Sequence, residues 1–242
     1  FICINSLFIK VELKGMLVYQ ARSHSRIGPP DACVGPADYE SGSLTGEFQS
    51  AANLKAALVG NDLNVIDQYF LKFGARNPVI AWSPEHDQLE DKRLQRLLSY
   101  WREKADGQDA APIASIDPTD MRFILGYIML LDVIDGGFDF RYRLYGTMIS
   151  ERFGRDVTGT TVRQFGDREY IVSFFLGAYQ AAMQRREPLL TIHYPKNASE
   201  TTSWTRLILP LKNGQDEIAR LLVGQIPGEW RPRPPGTEAP AF

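Results

Sequence analysis

Apolar and polar residues alternate through "FDFRYRLYG" (138–146). Phe138, Phe140, Tyr142 and Leu144 share one parity, and Asp139, Arg141, Arg143 and Tyr145 share the other. A period of two marks a strand with one face in a core and the other towards water or a second element. Upstream, "YIMLLDVI" (127–134) is a second strand candidate, and Asp135-Gly136-Gly137 reads as a tight turn between them. The two strands should therefore form an antiparallel hairpin. Gly146-Thr147 ends the second strand, with Thr147 expected to cap a short helix that closes at Gly154-Arg155-Asp156.

Helical spacing appears elsewhere. Val65, Ile66, Tyr69, Phe70 and Phe73 mark an amphipathic helix starting near Asp62, with Gly74 at its C-terminal end. Ser83-Pro84-Glu85 is an expected start for a second helix. Its apolar stripe is Leu94, Leu97, Leu98 and Trp101, and Lys92, Arg93, Gln95 and Arg96 lie opposite as a solvated face. Asp117-Pro118-Thr119-Asp120 opens one helical turn. Asp167 is expected to cap a long helix with Ile171, Phe174, Phe175, Ala178 and Ala182 on one side, stopped by Pro188. Strands are expected at 189–194, 204–211 and 218–226.

Residues 1–50 lack a sustained pattern and are expected to be poorly structured; residues 51–82 read as a helical lead-in, 84–227 as the main domain and 228–242 as a proline-rich tail. The chain opens on Phe1, and Met16 is a candidate start. Strands grouped at both ends of the domain with helices between them imply an α+β fold. The expected form is a five-stranded antiparallel sheet with helices on one face and an N-terminal helical extension.

"SIDPTD", "LLDV", "FRYRLYGTMISERFGRDVTG" and "RLILPL", in this order and spacing, resemble the signatures of a bacterial, largely alphaproteobacterial, PAS family over about residues 88–227. That family consists mostly of stand-alone proteins without an output domain. The chain departs from its pattern at Gly126, where proline is expected, and at Ile113-Ala114, where the family tends to be polar. The resemblance implies a sensory or protein-interaction module. Its ligand would sit between the inner sheet face and the helices, against Tyr142, Leu144, Phe153, Phe174, Ile192, Trp204 and Ile208. It also implies a homodimer built from an N-terminal helix and the outer sheet face, with Leu94, Leu97, Leu98, Trp101, Arg141 and Arg143 as interface residues. A signal would pass to an unidentified partner protein. The large inner side chains equally suit a structural dimerisation scaffold with a filled core.

Composition narrows this further. The 242-residue chain carries a net charge of −2 and is 44% hydrophobic and 23% charged. No basic footprint for nucleic acid or an anionic membrane surface is present. With two cysteines (Cys3, Cys33) and three scattered histidines (His24, His86, His193), neither a disulfide framework nor a spaced metal site is expected, and the cytoplasm is the expected compartment. The longest later apolar run, 123–131, is too short to span a bilayer. No phosphate-binding glycine loop, nucleophile elbow or HExxH motif occurs, so no catalytic residue is assigned and an enzyme is not expected. Within the PAS resemblance, the long helix lacks a haem-ligating histidine and 84–227 lacks the cysteine of flavin photosensors, so no cofactor is expected. Alternation sets His193 opposite Ile192 and Tyr194, hence outward. Arg143 and Arg206, on strands that a PAS sheet would make near neighbours, read as ion-pairing or stacking residues in preference to ligand contacts.

Overall fold

A computed structural model describes residues 12–13, 16–17, 41–165, 169–195 and 201–231. The chain divides into two compact units, 1–40 and 41–242. In the first, β1 (Glu12–Leu13) and β2 (Met16–Leu17) pair antiparallel, a hairpin the pattern did not announce.

The second unit opens with α1 (Ser41–Val59) and α2 (Leu63–Lys72). Helix α1 starts ten residues before the expected end of the unstructured segment. Its apolar residues are too scattered to show a stripe, and it gains its stability by burying Ala51, Leu54, Ala57 and Leu58 against neighbours. Asp62 caps α2 by accepting from Val65 N, as its position suggested. Next come β3 (Val79–Trp82) and α3 (Lys92–Ala105). Helix α3 begins later than Ser83-Pro84-Glu85 implied, because Asp91 provides the cap: its carboxylate accepts from Arg93 N at 2.8 Å. The short strand β4 (Ala111–Pro112), β5 (Ile128–Ile134), β6 (Asp139–Tyr145), α4 (Thr147–Phe153), α5 (Glu169–Arg185), β7 (Leu189–His193), β8 (Trp204–Lys212) and β9 (Ile218–Pro227) follow. Gly146, not Thr147, is the N-cap of α4, and Gly154 closes it at φ 96°, a conformation glycine adopts without strain. The expected Asp167 cap of α5 lies outside the described residues.

The five expected strands run β7-β8-β9-β5-β6, all antiparallel. Two further strands extend the sheet to seven: β3 pairs antiparallel with β7 at one edge, and β4 lies parallel to the end of β8. Both are too short to carry a readable alternation.

The β5–β6 register jumps between Leu130↔Leu144 and Leu131↔Tyr142, leaving Arg143 as an extra residue. Such a bulge shifts the side-chain parity of one strand by one position. Phe140, Tyr142 and Tyr145 are therefore buried together, whereas Leu144 is 40% exposed and Phe138, ahead of the strand, 48%. The expectation that Phe138 and Leu144 join Phe140 and Tyr142 in the core is corrected accordingly.

Helices cover both faces. The inner face, carrying Phe140, Tyr142, Tyr145, Leu189, Ile208 and Val223, packs under α5, whose Tyr179 ring meets Phe140 at 5.4 Å. Helices α1 and α2 lie on α5 in turn: Leu54 lies close to Gly177 and Phe70 meets Phe174 edge-on at 4.9 Å. The outer face is covered by α3. Leu94, Leu97 and Leu98 are fully buried, and Trp101 donates its Nε1–H to Pro210 O at 2.8 Å.

Gly224 of β9 sets how closely α3 approaches. A Cβ there would sit 2.6 Å from Leu94 Cδ2 and 2.7 Å from Leu97 Cδ2, inside any allowed contact. Both leucines are enclosed, so their methyls have little room to yield. Gly224→Ala should cost about 1–3 kcal/mol through overpacking. Leu97→Ala should cost about 2–5 kcal/mol through the cavity it leaves. Urea unfolding monitored by tryptophan fluorescence checks both.

Candidate functional site

Strand register decides which side chains meet beneath α5. The pairs Leu189↔Ile208, Thr191↔Arg206 and His193↔Trp204 share one sheet face, which continues across β9 through Arg206↔Gln225 and Ile208↔Val223. A wholly apolar face would suit this position. It instead carries Thr191, His193, Arg206 and Gln225, each at least nine-tenths buried.

Arg206 is 5% exposed. Its Nε donates to Gln225 Oε1 at 2.6 Å, and its guanidinium lies over the Phe175 ring at 3.7 Å. Among the described residues no carboxylate pairs with it. A buried cation with only a neutral amide acceptor and an aromatic face is unusual, because an uncompensated charge in low dielectric costs several kcal/mol. Stacking on an aromatic ring offsets about 2 kcal/mol when desolvated, which covers part of that cost.

The same Phe175 ring meets His193 edge-on, 5.3 Å between centroids. Burial, then the adjoining Arg206 charge, pushes the His193 pKa well below its ordinary 6.5, so the imidazole is neutral. Burial likewise raises the Tyr142, Tyr145 and Tyr179 phenols, with the nearby Arg206 pulling back in each case, so all three remain protonated. Three buried polar atoms here have no hydrogen-bond partner: His193 Nδ1, Thr191 Oγ1 and Tyr179 Oη, the last beside the Tyr142 phenol. Each orphan of this kind costs about 1–3 kcal/mol. Together they weigh heavily against a typical folding margin of about 5–15 kcal/mol.

Of the seven residues expected to line a ligand cavity, Tyr142, Trp204 and Ile208 lie on the inner face and Phe174 is buried on α5 against α2. Phe153, half-buried on α4, meets Tyr145 edge-on at 6.4 Å. Leu144 is on the other face because of the bulge. Ile192 is too: it opposes Val79 and Thr205, while His193 points in. The outward placement of His193 is thus corrected. Strand β7 is covered on both faces, so its apolar residues do not alternate and parity cannot be read from them. Gln225, Tyr179 and Thr191 carry no signal in the sequence, and Arg206 reads there as an ion-pairing or stacking residue in preference to a ligand contact.

The outer face is differently organised. Leu94, Leu97, Leu98 and Trp101 bury themselves on the chain's own sheet and are not available to a second copy while α3 stays docked. Arg141 and Arg143 are exposed. Arg143 and Arg220 both donate to Asp132, at 2.9 Å and 2.8 Å. Burial pushes the Asp132 carboxyl up, but these hydrogen bonds prevail and hold it below the usual range. Arg143 and Arg206 therefore occupy opposite faces, on strands that β9 and β5 separate, and serve different partners, which corrects their expected proximity. On the water side of α3, a groove of about 520 Å³ is lined by Arg96, Tyr100, Lys104, Asp120 and Phe123. Within it Arg96 lies over Phe123 at 4.0 Å and Lys104 pairs with Asp120 at 3.5 Å, and Glu103 is exposed on its rim. Among the described residues no cluster of three or more His, Cys, Asp or Glu side chains is gathered to hold a metal ion. No described helix is long and apolar enough to cross a membrane.

His193 makes stability depend on pH. In the unfolded chain it protonates near 6.5, whereas the folded chain refuses that proton until lower pH. Its contribution is therefore present above 6.5 and lost as pH falls, by up to about 1.4 kcal/mol per pH unit. Comparison of wild type with His193→Phe by urea unfolding from pH 7.5 to 5 should show a steeper acid loss in the wild type.

No curated protein matches the chain. The family model described as "PAS domain" matches residues 89–226, more than half of its length. The match starts at Leu89, ahead of α3, and takes in β4–β9, α4 and α5; α1, α2 and β3 precede it as an N-terminal extension. PAS domains are sensory and signalling modules, generally without catalysis of their own, that commonly mediate dimerisation or partner interaction. On the strength of this match and the sheet-and-helix arrangement it spans, the chain belongs to the PAS domain family.

Proposed function

We propose that this chain is a non-enzymatic sensor of the bacterial cytoplasm. It takes up a small molecule beneath α5 and reports its presence to a partner protein. The observation that carries this reading is the buried polar cluster around Arg206, in which His193 Nδ1, Thr191 Oγ1 and Tyr179 Oη have no hydrogen-bond partner. Folding alone gives no reason to keep such groups, since apolar replacements of similar size would remove the cost. A ligand that satisfies them removes that cost.

The output route is α3. Gln225 hydrogen-bonds Arg206 on the inner face, and its chain neighbour Gly224 touches Leu94 and Leu97 on the outer face. A ligand that moves Gln225 would alter the β9 backbone on which α3 lies. Differential affinity for two α3 packings then becomes a signal. With α3 displaced, Leu94, Leu97, Leu98 and Trp101 join Arg141 and Arg143 in a surface able to pair with a second copy or a partner.

One observation favours a second reading, a scaffold whose core is filled by its own side chains. Phe140, Tyr142, Phe174 and Tyr179 are all at most 1% exposed. Native mass spectrometry of gently purified protein separates the two. The sensor should carry an extra mass that disappears on denaturation, and a reproducibly clean mass would favour the scaffold. The same spectrum reports the monomer–dimer distribution.

A further inference from the structure

The chemistry at Arg206 specifies what kind of molecule the inner site accepts. Tyr142, Tyr145 and Tyr179 are protonated phenols and His193 is neutral, and the Arg206 guanidinium is the charge that acts on all four; Arg155 and Asp156, opposite in sign to each other, act besides on Tyr145. One cation balances one negative charge. A phosphate or a dicarboxylate would leave negative charge unpaired in the same low dielectric. Guanidinium geometry favours a planar partner that accepts two parallel N–H bonds, which a carboxylate does. The surrounding surface is apolar: Phe175, Trp204, Ile208 and Val223 on or under the inner face.

Gln225 occupies the place of that partner. Its amide oxygen accepts from Arg206 Nε, a single neutral contact where a carboxylate would make two charged ones. Charge-assisted bonds are roughly twice as strong as neutral ones, so the exchange favours the carboxylate. The partnerless Tyr179 Oη and His193 Nδ1 can then donate to the remaining lone pairs, the imidazole in its Nδ1–H tautomer.

We propose that the inner site binds a small organic monocarboxylate, its carboxylate paired with Arg206 in place of Gln225 and its apolar body against Phe175 and Trp204. This rests on the sensory reading above and names its ligand class. Release of Gln225 is the event that ligand binding transmits to β9.

The test uses the full chain, with sodium benzoate as probe and benzamide, of nearly the same shape but uncharged, as control at constant ionic strength. Thermal unfolding and calorimetric titration are the readouts. Benzoate should raise the unfolding midpoint in a saturable way, and benzamide should not. Arg206→Met should weaken benzoate binding by more than about tenfold, while its ligand-free midpoint stays at or above that of the wild type, because an unbalanced charge has left the core. Gln225→Ala, which removes the competing acceptor, should bind benzoate about tenfold tighter.

Equal effects of benzoate and benzamide, or undiminished benzoate binding by Arg206→Met, would overturn the assignment. So would the absence of any shift with either benzoate or acetate. Should native spectra then show a neutral retained molecule in wild type and Arg206→Met alike, the monocarboxylate fails and the sensor stands. A clean mass together with no shift would end both.

Discussion

A guanidinium that cannot reach water from either side of its sheet is the constraint on which this architecture turns. Strand β8 is central, with α5 above its inner face and α3 beneath its outer one. Without α3, the opposite surface would be wet and the middle of the sheet would be a milder place for charge. With α3 seated on Gly224, both faces are dry, so Arg206 must find its compensation among neighbours inside the fold. The neighbours provide a ring face and an amide oxygen, contacts that orient the cation without neutralising it. The packing of one helix and the chemistry of the opposite face are thus parts of one problem.

Much of the domain was legible from period and punctuation. The β5–β6 hairpin, the three late strands, the caps at Asp62 and Asp117 and the apolar stripe of α3 all follow from local rules that tertiary packing did not override. The failures share a cause. Leu144 and Ile192 were placed by alternation, and alternation is uninformative wherever a bulge changes parity or a strand is covered on both sides. Arg206 is a different case. The parity that points Trp204 and Ile208 inward also points the residue between them inward, so the signal for a buried cation was present in "WTRLI". What it lacked was the knowledge that no acid would be waiting there. Tyr179 and Ser173 sit on α5, whose apolar residues nearly encircle the helix, and no stripe distinguishes their direction.

The segment ahead of the PAS match is integral to the second unit. Trp82 of β3 donates to Leu58 O of α1 at 3.1 Å, and Arg185 at the end of α5 stacks over the Trp82 ring at 4.2 Å. Phe73, the C-cap of α2, stacks on Tyr170 near the start of α5. Both ends of α5 are thereby tied to the extension, leaving that helix little freedom to slide along its axis. A change beneath α5 is thus more readily relieved across the sheet, towards α3, than by displacement of α5 itself.

The two margins of the sheet are unequal. Along β6 the chain folds back so that Tyr142 N donates to Thr160 O, Gly159 N to Tyr142 O and Val162 N to Phe140 O, which uses up that strand's outer hydrogen-bonding groups. Among the described residues β3 is paired on one side alone. Among the described residues the margin along β6 is thus largely occupied and that along β3 is not, so a strand added from outside, whether in a regulated assembly or at the onset of aggregation, would find open hydrogen-bonding groups beside β3. Growth by strand addition there would begin with residues 79–82 of the extension rather than with the PAS core.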